Sequence, residues 1–191
     1  MSVWEYVSVF VSIIIGLAAA DLLISFHRLL RVDARVQWYW LVPFVALYFL
    51  LVIVNFWWGC FHWLRHFSSI SMVEFLPTLI AATALFLVTA AVLPDEIPDE
   101  GLDLKAWYLR NASHIWVLAI IALSSVILIE AQGQVTSRYA AWAFFKSEWE
   151  NWLTLAGAAW LVFTKRLRVH EVIVVAAFID MAYTASWLRI G

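Results

Sequence analysis

The chain has 191 residues, 65% of them hydrophobic and only 14% charged, where an ordinary soluble domain carries about 25% charged residues. A net charge of −2 cannot supply the electrostatic attraction to phosphates on which nucleic-acid binding depends, so no nucleic-acid partner is expected. A single cysteine, Cys60, excludes an intramolecular disulfide and any zinc or iron–sulfur centre built from several cysteines of one chain.

This composition predicts an all-α, polytopic transmembrane bundle forming one integral membrane domain over 1–191. Charge-poor runs mark six spans, at about 3–26, 38–64, 75–93, 111–129, 149–164 and 169–188. The opening "MSVWEYVSVF" carries Glu5 and no Lys or Arg, unlike the basic start of a secretory signal, so the first segment is expected to be retained. Within it Ser8, Ser12, Gly16 and Ala20 recur every four residues, a spacing that lets transmembrane helices approach closely. Between the third and fourth segments "LPDEIPDEGLDLKAW" gathers Asp95, Glu96, Asp99, Glu100 and Asp103, with Pro94, Pro98 and Gly101 to keep it from continuing as helix. A solvated loop is the ordinary reading, and a cation-concentrating mouth the functional one. From Val135 to Trp149 an aromatic stripe of Val135, Tyr139, Trp142, Phe145 and Trp149 recurs at helical spacing, predicting an interfacial amphipathic helix over 135–149. The fifth hydrophobic segment is short for a span, which leaves five spans as the alternative count.

Lys and Arg in short loops resist translocation. The first, third and fifth loops hold eight of them, Arg28, Arg31, Arg35, Lys105, Arg110, Lys165, Arg166 and Arg168, against Arg65, Arg138, Lys146 and Arg189 elsewhere. Those odd loops are therefore expected in the cytoplasm of a bacterial-type inner membrane and both termini outside. Three segments on either side of Gly101 then have opposite topology, as in inverted-repeat transporters, although no residue-level repeat accompanies it. Many of the thirteen tryptophans fall at segment ends, where an indole finds both an apolar surface and a partner for its N–H.

Asp180 is the sharpest polar feature. It lies 12 residues past Arg168, about 18 Å up a helix and near the middle of a core about 30 Å thick. An Asp there costs about 2.5–3.5 kcal/mol on insertion scales, so it is expected to face protein or water. Thr184 shares its face. Asp21 pairs downward with Ser25 or Arg28 in the structural reading; if the first and last spans are neighbours, it forms with Asp180 successive steps of a polar path. His170 and Glu171 open the last segment, together as a proton-entry group of the polar path or, in the structural reading, with Glu171 as a favourable charge at a helix start. Asn55 is the main buried amide of the second segment. His27, His114 and His170 are the weak candidates for haem ligands, and His62 with His66 has the i, i+4 spacing of a metal pair; no cofactor is otherwise expected. The chain holds no potassium-filter TVGYG, phosphate loop, H-E-x-x-H or G-x-S-x-G, and no enzymatic activity is expected.

Two functions remain on sequence grounds. One is a homo-oligomeric proton or small-cation channel or transporter that uses Asp180 and Asp21, with the small-residue stripe as subunit contact. The other is a non-catalytic scaffold or accessory subunit binding membrane lipid or a membrane protein partner. Haem-based electron transfer is a third.

Overall fold

The structure, a computed structural model, describes residues 3–32, 35–64, 69–132, 134 and 138–187. Seven helices carry nearly all of the described chain: α1 (Val3–Arg31), α2 (Leu41–Leu64), α3 (Met72–Val92), α4 (Leu104–Ala131), α5 (Arg138–Ser147), α6 (Trp149–Phe163) and α7 (Leu167–Trp187). Each of the six apolar segments is thus one helix. Four are long and apolar enough to cross a membrane, over Glu5–Arg31, Leu41–Cys60, Met72–Val92 and Leu104–Ala131. The other two fall short of that standard for different reasons. α6 has 15 residues and is about 22 Å long against a core of about 30 Å, and α7, at 21 residues, carries Arg168, Glu171 and Asp180.

Contacts fix the helix directions. Tyr39 meets Glu171, Tyr108 meets His170, and Phe49 packs on Trp116, so α2, α4 and α7 leave the same end of the bundle together. Trp57 donates to Ser12, Phe10 packs on Phe75, and α6 meets α4 through Ser113–Val162 at one end and Glu130–Asn151 at the other, so α1, α3 and α6 run the opposite way. The core lies where α1, α3, α4 and α6 pack in series, with α2 against α1 and α3. In α1 the buried stripe is Val7, Val11, Ile15, Ala18, Leu22, Ser25 and Leu29, a helical face of branched side chains that interdigitate with α2 and α3. Gly16 and Ala20 of the small-residue stripe face outward instead, and a Cβ on Gly16 would meet nothing within 4 Å.

Local chemistry explains the helix ends. Ser71 and Glu74 form a reciprocal capping box at the start of α3, with the Ser71 Oγ accepting from the Glu74 N–H at 3.2 Å and Glu74 accepting from the Ser71 N–H at 2.7 Å. Asp103 caps α4, its carboxylate accepting from the N–H groups of Lys105 and Ala106. A two-residue parallel bridge joins β1 (Val36–Gln37) to β2 (Leu102–Asp103), Val36 opposite Leu102, which an all-helical reading of the sequence did not anticipate. The amphipathic segment is shorter than expected: α5 ends at Ser147, a turn intervenes at Glu148, and α6 starts at Trp149. Val135 lies outside the described residues. Tyr139, Trp142, Phe145 and Trp149 all face outward, with Trp142 and Phe145 stacked at 5.9 Å and the Lys146 ammonium over the Trp142 ring, an arrangement suited to a membrane interface.

Candidate functional site

Two polar regions stand out, and they differ in how completely their groups are paired. The first lies where the loops after α1, α3 and α6 gather at one end of the bundle. Gly101 makes the turn there with φ +99°, and a Cβ on it would stand 3.0 Å from the Arg35 carbonyl oxygen, so only glycine fits without strain. Arg35 donates to the Asp99 carboxylate at 2.9 Å, Arg28 donates to the Asp95 carbonyl at 2.6 Å, and Ser25 donates weakly to the Asp95 carboxylate at 3.5 Å. Both partners expected for Asp21 are therefore directed to Asp95. Three of the five acids in the loop are structural members of this end, Asp103 as a helix cap and Asp95 and Asp99 as links back to α1 and the strand that follows it.

Beneath this clasp sits His170, fully buried. Its Nε2 is 3.1 Å from the Thr164 carbonyl, its Nδ1 2.9 Å from the Tyr108 hydroxyl, and the Trp116 indole donates to that hydroxyl at 3.1 Å. A carbonyl can only accept, so Nε2 carries the ring proton; Nδ1 then accepts from Tyr108, which in turn accepts from Trp116. A neutral imidazole satisfies every donor and acceptor in this chain. Iron coordination by His170 would need one of these bonds broken. His27 and His114 are exposed on α1 and α4, whereas His170 is buried on α7. His66 and the His62 side chain lie outside the described residues, and no group of three or more metal-binding side chains occurs among the described ones. One residue along from His170, Glu171 accepts from the Tyr39 hydroxyl at 2.7 Å. Burial first, then this bond, pushes the Tyr39 phenol well above its ordinary value, so it remains a donor throughout the physiological range.

The second region is the lateral flank between α2 and the far half of α7. Leu51, Val54, Asn55, Trp58, Met181, Ala182 and Ala185 line a cleft of about 220 Å³. Asn55 Nδ2 and Trp58 Nε1 are both shut off from water and have no hydrogen-bond partner, an unusual state for buried donors. Asp180 and Thr184 lie on exposed parts of α7, with Asp180 in electrostatic reach of the Tyr48 hydroxyl. α1 packs on α2 and α3, and α7 on α2 and α6. The adjacency of first and last helices that would make Asp21 and Asp180 successive steps is thus not a main packing contact of the bundle. Asp21 is half-buried on α1.

At the opposite end from the clasp, the Asn151 amide donates to both Glu148, at 2.7 Å, and Glu130, at 3.3 Å, tying the turn before α6 to the end of α4. Sequence reasoning singled out Asn55, His170 and Glu171 but missed Tyr39, Tyr108, Trp116 and Trp58, the groups that complete or share their surroundings. Only Trp58 had a readable signal, standing three residues after Asn55 on the same helical face.

Comparison with protein families, with curated proteins and with solved structures finds no match for the chain.

Proposed function

We propose that the protein is a small multi-pass subunit of a bacterial-type inner membrane that acts by binding within the bilayer, as a non-catalytic scaffold or accessory component. The α2–α7 flank is its contact face. The observation that carries this reading is the pairing contrast: polar groups beneath the clasp close on one another, whereas unpartnered donors and an exposed mid-helix acid lie on the side of the bundle. A side chain in hydrocarbon with no partner is costly, and although Thr78 and Gln132 also each bury an unpartnered oxygen, this flank is where two such groups and an exposed acid fall on adjoining helices. In this reading the chain crosses six times, with α6 and α7 completing the set, the basic odd loops in the cytoplasm and both termini outside.

A homo-oligomeric proton or small-cation channel is the second reading, and Asp180 favours it. An exposed carboxyl about 20 Å along α7, with Thr184 one turn on, would face a shared axis if several copies assembled around it. Reconstitution into liposomes separates the two. The binding subunit gives no proton or monovalent-cation flux above empty vesicles under an imposed potential, in either insertion orientation. Flux that disappears in Asp180→Asn while assembly is retained would replace this reading with the channel. Haem is checked by colour: folded protein from haem-sufficient cells is expected to lack the strong visible band that axial histidine ligation produces.

A further inference from the structure

We infer that the step where α6 stops short against α4 binds the headgroup phosphate of an anionic membrane phospholipid, through Arg110, Lys165 and Arg166. The inference rests on α6 lying within the bilayer, as in the six-span reading, and is independent of what the α2–α7 flank contacts.

The step follows from the helix lengths. Asn151 at the start of α6 meets Glu130 near the end of α4, and the Val162 carbonyl at the other end of α6 accepts from Ser113. Ser113 lies well inside α4, which starts at Leu104, so α4 runs on for about 13 Å beyond the last turn of α6. Glu148, Trp149, Glu150 and Trp152 place the first turn of α6 at an interface. A helix of about 22 Å then ends about 8 Å inside the far boundary of a core about 30 Å thick, and Lys165 and Arg166 follow at once. Cations at that depth call for a thinned bilayer or for a headgroup drawn to them.

The cations gather there without acids. The Lys165 ammonium donates to the Leu109 carbonyl at 3.2 Å and to the Ser113 hydroxyl at 3.5 Å, which sets it beside the peptide joining Leu109 to Arg110 and uses two of its three N–H groups. Arg110 and Arg166 are exposed, and their guanidinium groups have no partner among the described residues. No Asp or Glu occurs from Leu104 to Ile129 or from Asn151 to His170. On the α1 side of the same end, by contrast, Arg28 and Arg35 are bonded by Asp95 and Asp99. Guanidinium offers phosphate a planar fork of donors and ammonium a compact charge, and basic recesses between transmembrane helices suit anionic headgroups. A headgroup bearing its own choline cation would meet like charge.

The surface below the cations makes the anion part of a lipid. Arg110, His114, Val117 and Ile121 share one face of α4 and are all exposed. Over about 16 Å that face passes from guanidinium through imidazole to hydrocarbon, the order of headgroup, ester and acyl chain. Trp160 and Phe163, on either side of Val162 in α6, are exposed as well. A soluble phosphate would engage the charged end and leave the rest bare.

The experiment adds dioleoylphosphatidylglycerol or dioleoylphosphatidylcholine to delipidated full-length protein in mild detergent and follows thermal unfolding, each variant against its own lipid-free Tm. The phosphatidylglycerol is expected to raise Tm by about 4 °C more than the phosphatidylcholine, the increment of a roughly tenfold preference. Glycerol phosphate, which has no chains, should raise it by less than about 1 °C. Arg110→Gln and Lys165→Gln should each remove most of the increment, whereas Arg31→Gln, at an exposed cation of the same end on α1, should retain it. Equal response of wild type to the two lipids overturns the site. So does an increment lowered as much by Arg31→Gln as by Arg110→Gln, which would belong to the charge of the whole end, and so does stabilisation by glycerol phosphate equal to that by the phosphatidylglycerol. Ala156→Cys, at an exposed position in the middle of α6, separates this failure from that of the six-span reading. Its reaction with a membrane-impermeant maleimide in intact membranes, beyond that of wild type, would take α6 out of the bilayer and remove the site with it. An unreactive Ala156→Cys together with equal response to the two lipids defeats the lipid site alone.

Discussion

The end of the bundle around His170 and the flank around Asn55 are built from the same materials, a few polar side chains among aromatic and aliphatic ones, yet they solve opposite problems. At His170 each N–H or O–H donor meets an acceptor within the chain: Trp116 to Tyr108, Tyr108 to the imidazole, the imidazole to Thr164. At Asn55 and Trp58 two donors have none. Removing a partner from a closed network strands a buried polar group, whereas removing a stranded group relieves a penalty already present. The same polar-to-apolar substitution is therefore expected to have opposite signs in the two regions, and that opposition separates polar residues that hold the fold from polar residues that await an occupant.

The largest effect is expected at the centre of the closed network. His170→Leu leaves the Tyr108 hydroxyl without its acceptor and the Thr164 carbonyl without its donor in a fully buried site, and should destabilise the protein by roughly 3 kcal/mol. Tyr108→Phe removes two links, stranding the Trp116 N–H and the His170 Nδ1, for about 2 kcal/mol. Denaturant or thermal unfolding of the purified variants checks both. An unchanged His170→Leu would mean that the network is not closed in the membrane.

Gly101→Ala comes next. Its backbone φ of +99° is outside the region favoured by L side chains, and the added methyl would press on the Arg35 carbonyl at 3.0 Å. Such strain costs of order 1–3 kcal/mol, and it should act locally. Faster amide hydrogen exchange at residues 36–37 and 102–103, with α4 and α6 still protected, is the expected signature, because the β1–β2 bridge is held by the same turn.

At the open flank the sign reverses. Asn55→Leu, without added lipid, should leave stability unchanged or raise it by up to about 1 kcal/mol, since it removes a donor that has no partner. A clear loss instead would show that Asn55 finds a partner in the membrane-embedded protein, and would erase the contrast between the two regions.

The two regions also differ in how far they could be read from sequence. Six apolar runs gave six helices because hydrophobic length is a local property, and the start of the last segment at His170-Glu171 was marked as polar for the same reason. The pairing of odd loops was legible through the count of apolar segments: six helices that alternate in direction bring those loops to one end, as the structure does; their basic residues bear on which side of a membrane that end faces. What composition could not carry was partnership across long separations. Tyr108 and His170 are 62 residues apart and Tyr39 and Glu171 132 apart, and nothing in either member's neighbourhood names the other. Asp21 shows the converse: local spacing suggested Ser25 and Arg28 as partners, but tertiary packing gave both to Asp95, some 70 residues on. The status of Asn55 as unpartnered was equally invisible, because it depends on what α7 does not offer.

The smallest effect tests what gives the clasp its strength. Arg35 and Asp99 make a 2.9 Å ion pair, the kind of contact most often credited with holding loops together, but the Asp99 side chain is entirely exposed and that of Arg35 nearly half so. An exposed pair of this kind is screened by water and salt and costs side-chain entropy to hold. Arg35→Ala should therefore shift Tm by less than about 2 °C, and the shift should disappear at high salt. The backbone around it is unaffected, since the β1–β2 bridge and the turn at Gly101 are made by main-chain atoms, which alanine retains. If Arg35→Ala instead matched Gly101→Ala in Tm and in hydrogen exchange at the bridge, the clasp would depend on charge, and its stability would follow ionic strength. A small, salt-sensitive shift beside a large, salt-insensitive one at Gly101 would assign the clasp to backbone geometry and the ion pair to its solvated rim.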